Sequence, residues 1–206
     1  MSAAARVADL RHPPAAEEDH RQGPQGCPPG RLAAPLEPPM GALDRELETL
    51  NARVPGAVLQ VEERPERGMF WIQIRPEAIV PVATALRDDR HLDYAMLIDL
   101  HGQDFPDREQ RFECVYQFHS LSRNRRLWVK LRVAEGESVP TLSGVFPNAE
   151  WCEREIFDLF GVPFAGHPDL RRILMPDDWD GHPLRKDYPL VGRRPVILFN
   201  SVDDIM

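Results

Sequence analysis

Six prolines, Pro163, Pro168, Pro176, Pro183, Pro189 and Pro195, recur every five to eight residues near the end of this 206-residue chain. Each removes a backbone donor and stops a helix, so neither a long helix nor a central strand fits there. Yet Phe164, Leu170, Ile173, Leu174, Trp179, Leu184, Tyr188 and Leu190 are too many large apolar groups for a solvated linker. Ordering roughly 45 residues costs on the order of 50 kcal/mol. An extended segment recovers that only by lying on a surface. Its own domain supplies part of that surface and a partner the rest. Residues 161–206 are therefore expected to form an extended, proline-rich tail that docks on a partner.

The other proline cluster has a different character. Residues 1–40 hold eight of the 21 prolines, with few large apolar residues among them. That composition cannot offset its ordering entropy by burial, so a disordered extension is expected, with Cys27 an incidental thiol inside it.

Between these segments the pattern is that of a folded core, expected over residues 41–160. Leu43, Leu47 and Leu50 recur at helical spacing over residues 41–52. Residues 58–62 and 69–75 alternate like strands around a charged turn at 62–68, with Phe70, Ile72 and Ile74 on one face. Pro76 suits the start of a helix running to about Asp88, although Pro81 lies inside it. Three more strands are expected at 92–100, 111–120 and 126–134. In the middle one Phe112, Cys114, Tyr116 and Phe118 face one way, which makes Cys114 and His119 sheet positions. Short polar turns at 103–108 and 123–125 fit antiparallel neighbours. The expected fold is α+β: a mostly antiparallel sheet with flanking helices, followed by the tail.

Charge and cysteine usage exclude several classes. A net charge of -8 argues against nucleic acid and against a polybasic membrane anchor. Three cysteines stand far apart with no CxxC pair, so this chain is not expected to hold an iron–sulfur cluster or structural zinc. The sparse, odd count suits a reducing compartment. No apolar run approaches the ~20 residues that span a bilayer, and the first residues lack the apolar core of a signal peptide. Any membrane association is expected to come through a partner.

The helix expected over residues 149–160 concentrates the chemistry. Asn148 is positioned to cap it through its side-chain oxygen and Gly161 to end it. Glu150, Arg154 and Asp158 form one stripe at i, i+4 spacing, consistent with a solvated face. Trp151, Cys152, Ile156, Leu159 and Phe160 form the apolar arc. Glu155 projects between Trp151 and Leu159, and Glu153 between Phe157 and Phe160. Two readings stay open for these glutamates. Either both fan out to water, or Glu155 is buried and paired with Arg171 or Arg172, locking helix to tail.

The tail carries further polar groups. His167 and His182 each sit in Gly-His-Pro, near Asp169, Asp177, Asp178 and Asp187. The spacing is not that of a helix-borne metal pair, and a turn held by local hydrogen bonds is the simpler reading. Arg171, Arg172, Arg185 and Lys186 make two basic pairs in an acidic chain. They pair with Asp169, Asp177 and Asp187, or they dock onto acidic groups of a partner. Trp179 and Tyr188 are typical interface anchors, but they could equally pack on the chain's own sheet.

Residues 153–162, running Glu-Arg-Glu-Ile-Phe-Asp-Leu-Phe-Gly-Val, followed by 164–174, Phe-Ala-Gly-His-Pro-Asp-Leu-Arg-Arg-Ile-Leu, resemble the signature of the complex I thirty-kilodalton subunit family, known in bacteria as the C subunit of NADH–quinone oxidoreductase. Met-Pro-Asp-Asp-Trp at 175–179 and Gly-His-Pro-Leu-Arg-Lys-Asp-Tyr-Pro-Leu at 181–190 continue the resemblance. It implies a structural, non-catalytic subunit in the peripheral arm of a proton-translocating NADH–quinone oxidoreductase. Such a subunit sits on the cytoplasmic side of the membrane and packs on the D subunit near the quinone site. NADH, FMN, iron–sulfur clusters and quinone would all be held by other subunits. The equivalent subunit of a membrane-bound hydrogenase, or of another complex I-like oxidoreductase, is the alternative. A free-standing metalloenzyme using His167 and His182 is a third, unrelated class. The residues that would serve docking or structure are Glu153, Arg154, Glu155, Asp158, Gly161, His167, Asp169, Arg171, Arg172, Trp179, His182, Arg185, Lys186, Asp187 and Tyr188.

Overall fold

A computed structural model describes residues 42–64 and 69–191. The expected disordered extension, Cys27, residues 65–68 of the turn expected at 62–68 and the end of the tail lie outside the described residues, while residues 62–64 of that stretch belong to a strand.

Helix α1, Ala42–Arg53, ends where Gly56, at φ 66°, turns the chain into strand β1, Val58–Arg64. Strand β2, Met69–Ile74, returns antiparallel to it. A short 3-10 turn, Pro76–Ala78, leads into helix α2, Ile79–Asp88. Pro81 is the third residue of α2, where its missing N–H would have had no intrahelical partner, so the helix tolerates it. Strands β3, Met96–Asp104, β4, Phe112–Ser120, and β5, Arg125–Val133, follow. The expected strand at 92–100 starts later than the alternation suggests, because Leu92 and Tyr94 are buried in the preceding turn. Tyr94 donates to Glu46 of α1 at 2.9 Å, tying that turn to the first helix.

The sheet order is β1-β2-β5-β4-β3. All pairs are antiparallel except β2 and β5, which run parallel. The parallel pair requires a crossover, and α2, β3 and β4 supply it. In β4 the expected alternation holds: Phe112, Cys114, Tyr116 and Phe118 lie opposite Val133, Leu131, Val129 and Leu127 of β5. These side chains, with Phe70, Ile72 and Ile74 of β2, form one apolar face on which the helices pack. Each fully buried side chain of this kind contributes roughly 1.5–3 kcal/mol. The other sheet face carries Trp71 stacked on Trp128 at 5.2 Å, with Lys130 over the Trp71 ring.

Helix α3, Ala149–Phe160, follows a two-residue strand β6, Val139–Pro140. β6 pairs parallel with β7, Phe164–Ala165, just beyond α3. α3 runs alongside edge strand β3. Asn148 reaches Leu97, Cys152 reaches Leu100, and Ile156 and Phe160 lie against Gly102. A Cβ at Gly102 would lie 2.8 Å from the Phe160 ring, so glycine permits this close approach. The helix thereby covers β3's unpaired backbone groups.

Asn148 does this instead of the expected capping. Its Nδ2 donates to the Leu97 carbonyl at 2.7 Å, and its side chain makes no cap bond. The first turn of α3 is closed by backbone bonds, from Ala149 to Phe146 and from Glu150 to Pro147.

Candidate functional site

Side-chain hydrogen bonds converge, among the described residues, on the junction between α3 and residues 161–188. Helix ends leave four carbonyls without intrahelical partners. Here every one of the last four is met. Gly161, at φ 78°, donates its amide to Phe157. The Asp158 carbonyl accepts from His182 Nδ1 at 2.8 Å and from Arg172 at 3.3 Å. The Leu159 carbonyl accepts from the Leu184 amide at 3.1 Å. The Phe160 carbonyl accepts from Arg185 Nε at 2.7 Å. A carbonyl can only accept, so His182 carries its proton on Nδ1. Gly-His-Pro-Leu-Arg at 181–185 is thus a helix cap written far from the helix. A Cβ on Gly161 would lie 2.5 Å from His182 Nε2, so this position needs glycine for space as well as for its φ.

Asp158 organises the next layer. Its carboxylate accepts the backbone amides of Ile173, Leu174 and Met175 at 3.1, 2.8 and 2.8 Å. Arg172 binds it at 2.6 Å and also donates to the carbonyls of Trp179 and Gly181. Burial works against the charge, but the three amides and Arg172 outweigh it and hold the Asp158 carboxyl below the usual carboxylate range. Arg154 lies one turn earlier, its guanidinium over the Trp151 ring at 5.3 Å from the centroid, and donates to the carbonyls of Arg171 and Arg172. The stripe expected to be solvated is therefore largely buried: Arg154 is 7% exposed and Asp158 0%. The segment that covers it is distant in sequence, which is why local periodicity misreads it.

On the inner side of α3, Glu153 is fully buried. It accepts from the Thr141 hydroxyl at 2.5 Å and the Leu142 amide at 2.7 Å. Burial raises its pKa despite these bonds. His167 Nε2 lies 3.9 Å from the same carboxylate and donates to the Glu150 carbonyl at 3.0 Å. Its Nδ1 accepts from the Asp169 amide, so both ring nitrogens are engaged. His167 and His182 thus serve opposite ends of α3. Among the described residues, no three His, Cys, Asp or Glu side chains converge as metal donors.

A third cluster ties the segment to the sheet end. Arg111, just before β4, binds Asp104 through both Nε and an NH2 group, at 2.7 and 2.9 Å, and reaches Asp187 at 2.8 Å. The Lys186 amide donates to Asp104 at 2.7 Å, and Arg185 pairs with Glu135 at 2.6 Å. The Arg111 hydrogen bonds hold both Asp104 and Asp187 below the usual carboxylate range. The sequence did not single out Asp104, Arg111, Glu135 or Thr141. No motif marks them, because each is an ordinary strand-end or loop residue until the chain returns.

The remaining candidates lie at the surface. Glu155 is exposed and Trp151 is 59% exposed, so the apolar arc is narrower than expected and the Glu155–Arg pair is not formed. Arg172 pairs with Asp158 instead, and Arg171 pairs with Asp169 at 2.8 Å. Trp179 is half-buried with its indole nitrogen inside, and Tyr188 donates to the Asp180 carbonyl at 3.1 Å.

These residues fall in a segment with clear relatives. The family described as respiratory-chain NADH dehydrogenase, 30 Kd subunit, matches residues 72–194. The NADH-quinone oxidoreductase C subunit of Roseiflexus sp. is 48% identical over 156 residues, 75% of this chain and 88% of its own. The C subunit of Azorhizobium caulinodans is 45% identical over 152 residues, 73% of this chain and 72% of its own. Among solved structures, the trypsin-resistant fragment (1-134) of Nqo5 is similar at a TM-score of 0.51 and 31% identity, covering 63% of this chain and 99% of the fragment. A chain of an archaeal membrane-bound sulfane sulfur reductase shares the fold at a TM-score of 0.61 and 22% identity, covering 72% of this chain and 86% of that one. The family match takes in β4, β5, α3 and the Asp158, His182 and Arg185 anchors that hold the following segment, and the chain belongs to the 30 Kd subunit family of the respiratory-chain NADH dehydrogenase.

Proposed function

We propose that this chain acts as the C subunit of an NADH–quinone oxidoreductase, a structural and assembly component without chemistry of its own. In this reading it sits in the peripheral arm on the cytoplasmic side and docks on the D subunit near the quinone site. Electrons pass from NADH through FMN and iron–sulfur centres to quinone in other subunits.

The observation that carries the reading is how the polar groups of the α3 junction are used. Asp158, Arg172, His182 and Arg185 point inward and bind backbone. Residues so engaged position a segment; they are not open to a substrate. The same segment turns Leu174, Leu184, Leu190 and Val191 outward, at 55, 50, 106 and 85% exposure. A rigidly anchored segment with an outward apolar edge is suited to a protein partner.

The alternative, a subunit of a hydrogenase or another complex I-like oxidoreductase, has fold likeness behind it but not the names of the close relatives. One experiment separates the two. The full chain, tagged, is expressed in cells lacking the native copy, and the co-purifying proteins are identified. The D subunit and the NADH-oxidising subunits are expected in equal amounts, and deletion of the chain should abolish NADH–quinone activity in membranes. Recovery of hydrogenase subunits favours the alternative. Full NADH–quinone activity without the chain overturns the proposal.

A further inference from the structure

The outer ridge of α3 is not covered by anything described. It consists of Trp151 and Glu155, one turn apart on the helix. On one side Asn148 and Cys152 join the helix to β3, where Ile98 is 42% exposed and the Asp99 side chain 51%. On the other side Arg154 and Asp158 join it to residues 171–175, where Leu174 is 55% exposed. Ile98 on β3 and Leu174 on the following segment are exposed apolar side chains on the elements that flank the ridge.

Two properties set this face apart from scattered surface apolar groups. First, Trp151 is held from below: the Arg154 guanidinium lies 5.3 Å from the ring centroid and is itself fixed by two backbone carbonyls. A large aromatic that is exposed yet held in place loses little entropy on binding, which is the condition for an interface hot spot. Second, acidic side chains outnumber cations around it. Glu155 has no ion-pair partner among the described residues, and Asp99 meets only His101 at 3.1 Å. Glu150 adds a third acid, against one cation, Arg154, which is hydrogen-bonded to carbonyls and keeps its charge, while Arg171 is paired with Asp169.

We infer that the α3 ridge docks a segment of a neighbouring subunit that places an apolar side chain on Trp151 and a Lys or Arg side chain against Glu155 and Asp99. Apolar contact alone would suit many surfaces. Glu155, unpaired among the described residues, and Asp99, which meets a histidine and no Lys or Arg, select a cationic segment, because burying them against a neutral partner would cost desolvation without return. This rests on the proposal that the chain is a subunit of a larger complex, and it identifies a contact separate from the apolar edge after α3.

The test uses the full tagged chain in cells lacking the native copy, as wild type, W151A and E155K. Both substituted side chains are exposed, so each purified variant should unfold within about 2 °C of wild type. Each is expected to lower recovery of the partner subunits at least about tenfold. Recovery equal to wild type in both variants overturns the inference while leaving the subunit proposal intact. Failure of the wild-type chain to recover any oxidoreductase subunit overturns both. In the assembled complex, Trp151→benzoylphenylalanine should crosslink on illumination to a peptide from a different subunit, with Lys or Arg near the attachment point. That readout stands even where a variant assembles poorly. A crosslink to an acidic peptide, to a second copy of this chain, or to nothing overturns the inference.

Discussion

The sheet and the segment after α3 adjoin in one domain, yet they bury opposite chemistry. In the sheet Ile72, Phe118, Val129 and Leu131 are fully buried, with apolar neighbours on adjacent strands and on the helices that pack over them. In the segment, Val162 and Phe164 are the buried apolar groups among the described residues beyond Gly161, and the rest is held by Asp158, Arg172, His182, Arg185 and Asp104. Area burial is distributed and tolerates the loss of a methyl group. A network converging on one carboxylate does not. The segment should therefore be specified by few residues and opened by few substitutions, while the sheet should fail only as a whole.

The largest effect is expected at the centre of that network. Asp158→Ala leaves Arg172 and three backbone amides without their acceptor. Breaking a buried pair from one side costs about 3–5 kcal/mol, or roughly a 10 °C fall in the unfolding midpoint for a chain of this size. Leu131→Ala should cost about 2–5 kcal/mol by leaving a cavity. The two variants should differ in how they open. Under mild trypsin treatment, the first cuts within residues 69–191 of Asp158→Ala are expected at Arg171, Arg172, Arg185 or Lys186 with the sheet intact, whereas Leu131→Ala should expose sheet and segment together. Identical cleavage patterns would remove the distinction between the two regions.

Glu153 and Asp158 sharpen the contrast through pH, because their shifts have opposite signs. The Glu153 carboxyl is raised above 4.5, mainly by burial. Its contribution is complete below that value and declines as pH rises through the raised pKa. The Asp158 carboxyl is lowered below 3.8, so its contribution is complete above 3.8 and declines as pH falls through the lowered pKa. Glu153→Gln should cost about 1 kcal/mol or less, since an amide still accepts from Leu142 and can donate to Thr141. The gap to wild type should narrow as pH rises from 4.5 toward 7. For Asp158→Asn the gap should stay constant over that range and shrink only in stronger acid. Midpoints measured across pH for both variants check the signs, and parallel curves would contradict the burial of Glu153.

The two regions were also unequally legible in the sequence. The β4 alternation of Phe112, Cys114, Tyr116 and Phe118 reads directly, because a strand with one apolar face has period two whatever covers it. The parallel β2–β5 pair does not, because it depends on a crossover of about fifty residues. In α3 the apolar positions Ile156, Leu159 and Phe160 were legible, and Gly161 marked the end. The polar side was not: Arg154 and Asp158 look solvated until residues 171–182 return to cover them. Asn148 is misread for a related reason, since the unpaired edge of β3 takes the side chain that local geometry assigns to the helix cap. Local pattern specifies an element's own faces, and it is silent on polar groups whose partners arrive later in the chain.

Glu155 is the smallest and most diagnostic case. Of the two readings open for it between Trp151 and Leu159, one is a buried carboxylate locked to an arginine, and the loss of such a pair would lower the midpoint by several degrees. The side chain is instead exposed, and both candidate arginines are paired elsewhere. Glu155→Gln should leave stability within about 0.5 kcal/mol of wild type, as for other surface substitutions away from special features. A larger loss in the isolated chain would mean that α3 and the following segment share a second ionic lock, and that the anchoring is not concentrated on Asp158. An unchanged midpoint, together with impaired recovery of partner subunits, would assign Glu155 to the outside of the molecule, where its charge acts between chains and not within one.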